Sequence, residues 1–142
     1  MVHHGHTTTT TRRSGHSALS MAFSALAWIS AVIVMGVLAY LVSRDWRGDQ
    51  IIYVLVISVL TTVFLPIAFF LRTHSGYLAL FHIIFSHLWI VAVAFAASSW
   101  VHSDYDLLLV ATAFSFVAFF FLFFNVLYDW YHGFGRGAHL RV

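Results

Sequence analysis

Four long stretches without any charged side chain constrain this sequence more than any other feature. No Asp, Glu, Lys or Arg occurs in Ser14–Ser43, Gln50–Leu71, Thr73–Ser103 or Leu107–Tyr128. Each stretch is longer than the roughly 18 apolar residues that mark a candidate membrane-spanning helix. Only 8% of all residues are charged, whereas a typical soluble domain carries about 25%. The sequence therefore predicts an integral membrane protein.

The spanning segments are expected to be helices, because barrel strands alternate apolar and polar residues and Ile51–Leu60 and Phe114–Phe124 do not. The connections between the apolar segments are short, which favours antiparallel neighbours. The predicted fold is an all-α membrane protein, a four-helix antiparallel transmembrane bundle with up-down-up-down order. Its domain covers 18–131, with helices at 18–43, 51–71, 77–100 and 107–131.

Arginine predicts the orientation, because the chain has no lysine. Both tails and the second connection share one side of such a bundle, and that side holds Arg12, Arg13, Arg72, Arg136 and Arg141, against Arg44 and Arg47 on the other. The positive-inside rule then places both termini in the cytoplasm, for a protein of the plasma membrane or an endomembrane. Residues 1–17 are expected to form a disordered cytoplasmic tail, and residues 132–142 a short second one.

Polar residues within the spans are the candidate functional residues, because burying them in lipid is costly. Counting from the helix ends places His82 and Asn125 at one depth, so we expect a hydrogen bond between them. Pro66 lacks an N–H and frees the carbonyl of Thr62, and His87 lies at a depth from which it is expected to donate to that carbonyl.

An interfacial ion pair is expected between Arg72 and Asp129, with His132 as an alternative partner of the carboxylate. For the histidines, three interpretations stay open: hydrogen bonds that hold helices together, haem or metal ligation, and a transport path. The first is favoured, because the deep histidines share one helix and no carboxylate lies deep in a span. No cofactor, metal or catalytic residue is therefore predicted, and neither is a nucleic-acid partner.

Small residues recur at four-residue spacing in the pairs Ala27, Ala31 and Ala92, Ala96. This spacing lets helices approach closely, within one chain or between copies. The phenylalanines of Phe114–Phe124 surround the fourth helix, which is expected to face lipid more than a protein partner.

Several segments resemble MARVEL-domain proteins, particularly the small fungal ones. They are the end of the first helix at Tyr40–Trp46, the start of the second at Ile51–Ser58, the run Phe85–Ala94 around Trp89, and the aromatic fourth helix. The resemblance implies a non-enzymatic tetraspanning protein that organises membrane microdomains or traffic. Its expected partners are membrane lipids and other membrane proteins or further copies of itself. The alternatives are an accessory subunit of a larger membrane enzyme or transporter and a haem-binding redox subunit.

Overall fold

The computed structural model describes residues 15–70, 75–102 and 104–137, with side chains described for 18–70, 80–102 and 104–131. These residues form four α-helices: α1 (Gly15–Ser43), α2 (Asp49–Phe70), α3 (Ser75–Ser99) and α4 (Asp106–Gly137). Each contains a segment long and apolar enough to cross a membrane, namely Ala18–Ser43, Asp49–Phe70, Leu80–Ser99 and Asp106–Tyr131. The all-helical class and the four candidate spans are thus confirmed.

Two helices extend into the predicted tails. α4 continues to Gly137 instead of ending at Tyr131, and α1 begins at Gly15, inside the predicted disordered tail. The apolar pattern marks where a span leaves the hydrocarbon, and a helical backbone, which satisfies its own hydrogen bonds, has no need to stop there. Residues 1–14 and 138–142 lie outside the described part of the chain.

The end of α1 is set by a local hydrogen-bonding motif. Asp45 adopts a left-handed conformation with φ of 65°, which Asp tolerates better than most residues. Its N–H donates to the carbonyl of Val42 over 3.2 Å, and the N–H of Trp46 donates to the carbonyl of Leu41 over 3.2 Å. These two bonds form a Schellman motif, which satisfies the last carbonyls of α1 and turns the chain toward α2.

Each helix contacts two others, so that the contacts run from α1 to α2, α3 and α4 and back to α1. α1 contacts α2 and α4, and α3 contacts the same two helices, whereas neither diagonal pair has Cα atoms within 8 Å among the described residues. The centre is filled by fully buried side chains from all four helices, including Leu38, Val54, Trp89 and Leu122. In the most apolar 18 residues of each span, only 33% to 39% of the residues are buried. The remaining apolar surface suits a lipid environment and would be unusually large for a protein in water.

Aromatic and polar contacts identify which helix ends lie together. The rings of Trp46, after α1, and Tyr105, before α4, meet edge to face with centroids 4.3 Å apart. Near the other end of the same two helices, the Ser20 hydroxyl donates to the side-chain oxygen of Asn125. The C-terminal end of α1 therefore lies beside the N-terminal end of α4, and the reverse holds at the opposite end.

Candidate functional site

Asn125 joins α4 to α1 through both ends of its amide group. The side chain is 0% exposed. Its Oδ1 accepts a hydrogen bond from Ser20 Oγ at 3.1 Å, and its Nδ2 donates to Ser24 Oγ at 3.3 Å. Ser20 and Ser24 are one turn apart on α1, so the two hydroxyls face the same neighbour. The amide of Asn125 thus bridges two serines that lie four residues apart on α1.

His82 contacts α4 one helical turn away from Asn125. Its Nδ1 lies 3.4 Å from Oδ2 of Asp129, while the His82 side chain is 1% exposed and that of Asp129 is 33% exposed. The predicted bond between His82 and Asn125 is wrong, because Asn125 directs its amide to α1. Equal depth fixes the height of a residue along the bundle, whereas the partner depends on the direction in which the side chain points around its helix.

The carbonyl freed by Pro66 accepts a hydrogen bond from a tryptophan. Trp28 Nε1 on α1 donates to the carbonyl oxygen of Thr62 at 3.0 Å. His87, the predicted donor, is exposed, and its Nδ1 lies 3.0 Å from the carbonyl oxygen of Ile83 on its own helix. That prediction is therefore wrong. α2 nevertheless continues through Pro66 to Phe70, and the Trp28 indole replaces the missing backbone donor.

α2 and α3 are joined near the middle of their spans. Trp89 Nε1 donates to Thr61 Oγ1 at 2.9 Å, and the Thr61 hydroxyl donates to the carbonyl of Ile57 at 2.8 Å. Both Trp89 and Thr61 are 0% exposed. Tyr53 adds a longer contact from its hydroxyl to the carbonyl of Leu88, at 3.4 Å. Every pair of contacting helices therefore carries at least one side-chain hydrogen bond between helices.

These interhelical contacts include residues that sequence reasoning missed. Trp28 and Trp89 are the clearest, because tryptophan in membrane proteins is enriched at the interfaces, whereas Trp28 and Trp89 lie well inside the spans Ala18–Ser43 and Leu80–Ser99. An indole N–H at that depth needs an acceptor from another helix. The depth of the two tryptophans in the sequence could have predicted that each indole N–H bonds to another helix. It could not have predicted which atom accepts the bond.

The small residues predicted to pack helices lie in the interior. Ala27, Ala31, Ala92 and Ala96 are each 0% exposed and belong to one hydrophobic cluster. In this position they allow close approach between helices of the same chain, which was one of the two uses that the sequence left open.

The remaining predicted contact involves Asp129 and Arg72. Arg72 lies outside the described residues, so the predicted ion pair stays a prediction; the side chain of His132, the alternative partner, is likewise outside them. Within the described part of the chain, no three His, Asp or Glu side chains come together in a group that could hold a metal ion. Comparison with protein-family models, curated protein sequences and solved structures returns no match for this chain.

Removing the Asn125 amide is expected to weaken the α1–α4 contact. Asn125→Leu keeps a similar volume but loses the two hydrogen bonds to serine, so we expect a loss of about 0.6–2 kcal/mol per bond. Combining it with Ser24→Ala should cost less than the sum of the single changes. Unfolding in mixed detergent micelles measures this, with Ser98→Ala, an exposed serine bonded within its own helix, as the control. Strict additivity of Asn125→Leu and Ser24→Ala would contradict the contact.

Proposed function

We propose that this chain is a non-enzymatic tetraspanning membrane protein that organises membrane microdomains or traffic, in the manner of the MARVEL-domain proteins that it resembles. This proposal rests on how polar and apolar groups are distributed within the spans. Buried polar side chains such as Asn125, Thr61 and Ser24 are engaged in hydrogen bonds that hold the helices together. Large apolar side chains cover the outside of every helix.

This distribution favours a function carried by the lateral surface. The phenylalanines of α4 divide between the two sides: Phe114, Phe119 and Phe121 pack against the core, whereas Phe120, Phe123 and Phe124 are exposed. A surface of this kind contacts lipid chains or the apolar flank of another spanning helix. The proposed partners are accordingly membrane lipids, other membrane proteins and further copies of this chain.

The proposed topology is an up-down-up-down bundle with both tails in the cytoplasm. The contacts between Trp46 and Tyr105 at one end and between Asn125 and Ser20 at the other support an antiparallel arrangement of α1 and α4. The side with both tails carries the larger number of arginines, which supports its cytoplasmic placement in the plasma membrane or an endomembrane.

Purification of the full chain in a gentle detergent tests the proposal. We expect the protein to be colourless and to elute alone or as copies of itself with bound lipid, as mass spectrometry and an absorption spectrum would show. A stoichiometric large membrane protein in the preparation would favour the accessory-subunit alternative instead. A Soret band that disappears on His82→Phe would contradict the proposal in favour of a haem-binding subunit.

A further inference from the structure

His82 combines nearly complete burial with an unsatisfied ring nitrogen. The side chain is 1% exposed, and its Nε2 has no hydrogen-bond partner among the described residues. Buried polar atoms without a partner are rare, because each loses its interaction with water and gains nothing in return. The side-chain N–H and C=O groups of Asn125 and Trp89 that face other helices have hydrogen-bond partners. His82 differs from them because one of its ring nitrogens has none.

The other ring nitrogen of His82 connects this buried group to the membrane boundary. Nδ1 lies 3.4 Å from Oδ2 of Asp129, whose side chain is 33% exposed. His82 lies in the first third of α3 and Asp129 in the last third of α4, so both lie toward the same end of these two helices. The carboxylate is therefore the accessible member of the pair and the imidazole the enclosed one. We propose that His82 and Asp129 form a proton-binding site that controls how strongly α3 holds α4.

Few other titratable groups face this pair from the described residues. On α2, which packs against α3, the described titratable side chains are Asp49 and Tyr53, and on α1, which packs against α4, the described one is Tyr40; all three lie at the opposite end of the bundle. On α4, Tyr128 and Tyr131 lie near Asp129 along the chain, and Phe81 lies beside the imidazole with ring centroids 6.2 Å apart. Asp129 is thus the charged group in direct contact with His82.

The charge of the pair changes on protonation. With neutral imidazole and ionised carboxylate, the pair carries one negative charge, and Nδ1–H donates a single bond to Asp129. A proton on Nε2 turns this contact into an ion pair with no net charge, and both the Coulomb attraction and the hydrogen bond become stronger in the poorly solvated interior. A contact of 3.4 Å leaves room to shorten, because charge-assisted N–H···O bonds are typically about 2.7–2.9 Å.

Protonation also has an opposing cost. The new Nε2–H needs an acceptor, and no described residue provides one in the present arrangement. This cost offsets part of the gain at Asp129. By linkage, a folded state that gains a proton with this contact becomes more stable as the pH falls. The partly exposed carboxylate of Asp129 is the group through which protons would reach the buried imidazole.

Nitrogen NMR of the full-length protein tests the site directly. With 15N-labelled histidine in detergent micelles or nanodiscs, the two ring nitrogens of His82 should shift reversibly when the sample is titrated from about pH 8 to about pH 5.5, the range in which histidine acts as a pH switch in proteins. The signals are assigned by their loss in His82→Asn, which keeps a donor near the position of Nδ1. Combined 13C-carbonyl Phe and 15N-His labelling identifies the backbone amide of His82 as a further reporter of the same site, because Phe81-His82 is the only Phe-His pair in the sequence.

The dependence of thermal stability on pH is a second, independent measurement. The wild type is expected to gain a few degrees in Tm on acidification, and this gain should be largely lost in Asp129→Asn and in His82→Asn. His87→Gln is the control, since His87 is exposed and its ring nitrogen hydrogen-bonds to the carbonyl of Ile83 on its own helix. Ring-nitrogen signals of His82 that stay constant over this pH range would overturn the proposal. So would an Asp129→Asn variant with the full pH dependence. If neither variant folds, the wild-type spectrum decides alone.

Discussion

Trp89→Ala is expected to destabilise the protein by roughly 2–4 kcal/mol. Trp89 is the largest fully buried side chain among the described residues. In lipid, the unfolded reference state also lacks water, so the cost comes mainly from the cavity and lost packing. A cavity on the order of 100 Å³ at about 24 cal/mol per Å³ costs roughly 2.4 kcal/mol, and the lost bond to Thr61 Oγ1 adds to it. Unfolding in mixed micelles, followed by circular dichroism, measures the loss.

Trp130→Ala is the matched control, because Trp130 is 64% exposed and its removal leaves no interior cavity. Trp89→Phe should fall between the two, since phenylalanine fills much of the space but cannot donate to Thr61. Equal losses for Trp89→Ala and Trp130→Ala would mean that Trp89 does not fill the core.

Ala96→Phe is expected to prevent stable packing of α3. Ala96 is 0% exposed, and an added ring at a contact between helices has no space without separating them. Overpacking costs roughly 1–3 kcal/mol in soluble cores and occasionally more, and a full ring in place of a methyl group belongs at the upper end. The yield of folded protein in detergent and its unfolding midpoint measure the effect, and Ala92→Phe should behave alike.

Ala94→Phe separates the packing effect from the general effect of a bulky residue. Ala94 is exposed on the same helix between the two buried alanines, so a ring there enters the surrounding lipid. His87→Gln is a second control, because it changes an exposed side chain and retains a hydrogen-bonding group. If Ala96→Phe left the unfolding midpoint unchanged and only dissociated oligomers, the alanine would serve contacts between chains instead.

Helix positions could be predicted because the spans depend on composition. An uncharged stretch long enough to cross a bilayer is expected to be helical. Each of the four predicted spans coincides with a helix in the structure, apart from differences at the ends. The ends of the helices were less well predicted. Asp45 ends α1 through a left-handed backbone conformation and two specific hydrogen bonds, while α4 continues past its apolar segment to Gly137, because a helical backbone satisfies its own hydrogen bonds.

The sequence by itself determined the helical class of the protein, its four apolar spans and the position of each polar residue along its helix, because all three follow from composition and from the constant rise of a helix. Only the tertiary structure decided the partners. Asn125 binds Ser20 and Ser24, His82 contacts Asp129, and Trp28 takes the Thr62 carbonyl that Pro66 frees. Depth is one coordinate, whereas a hydrogen bond also requires the right rotation of each helix and the right neighbour. Those are fixed when buried side chains such as Trp89 and Ala96 pack together.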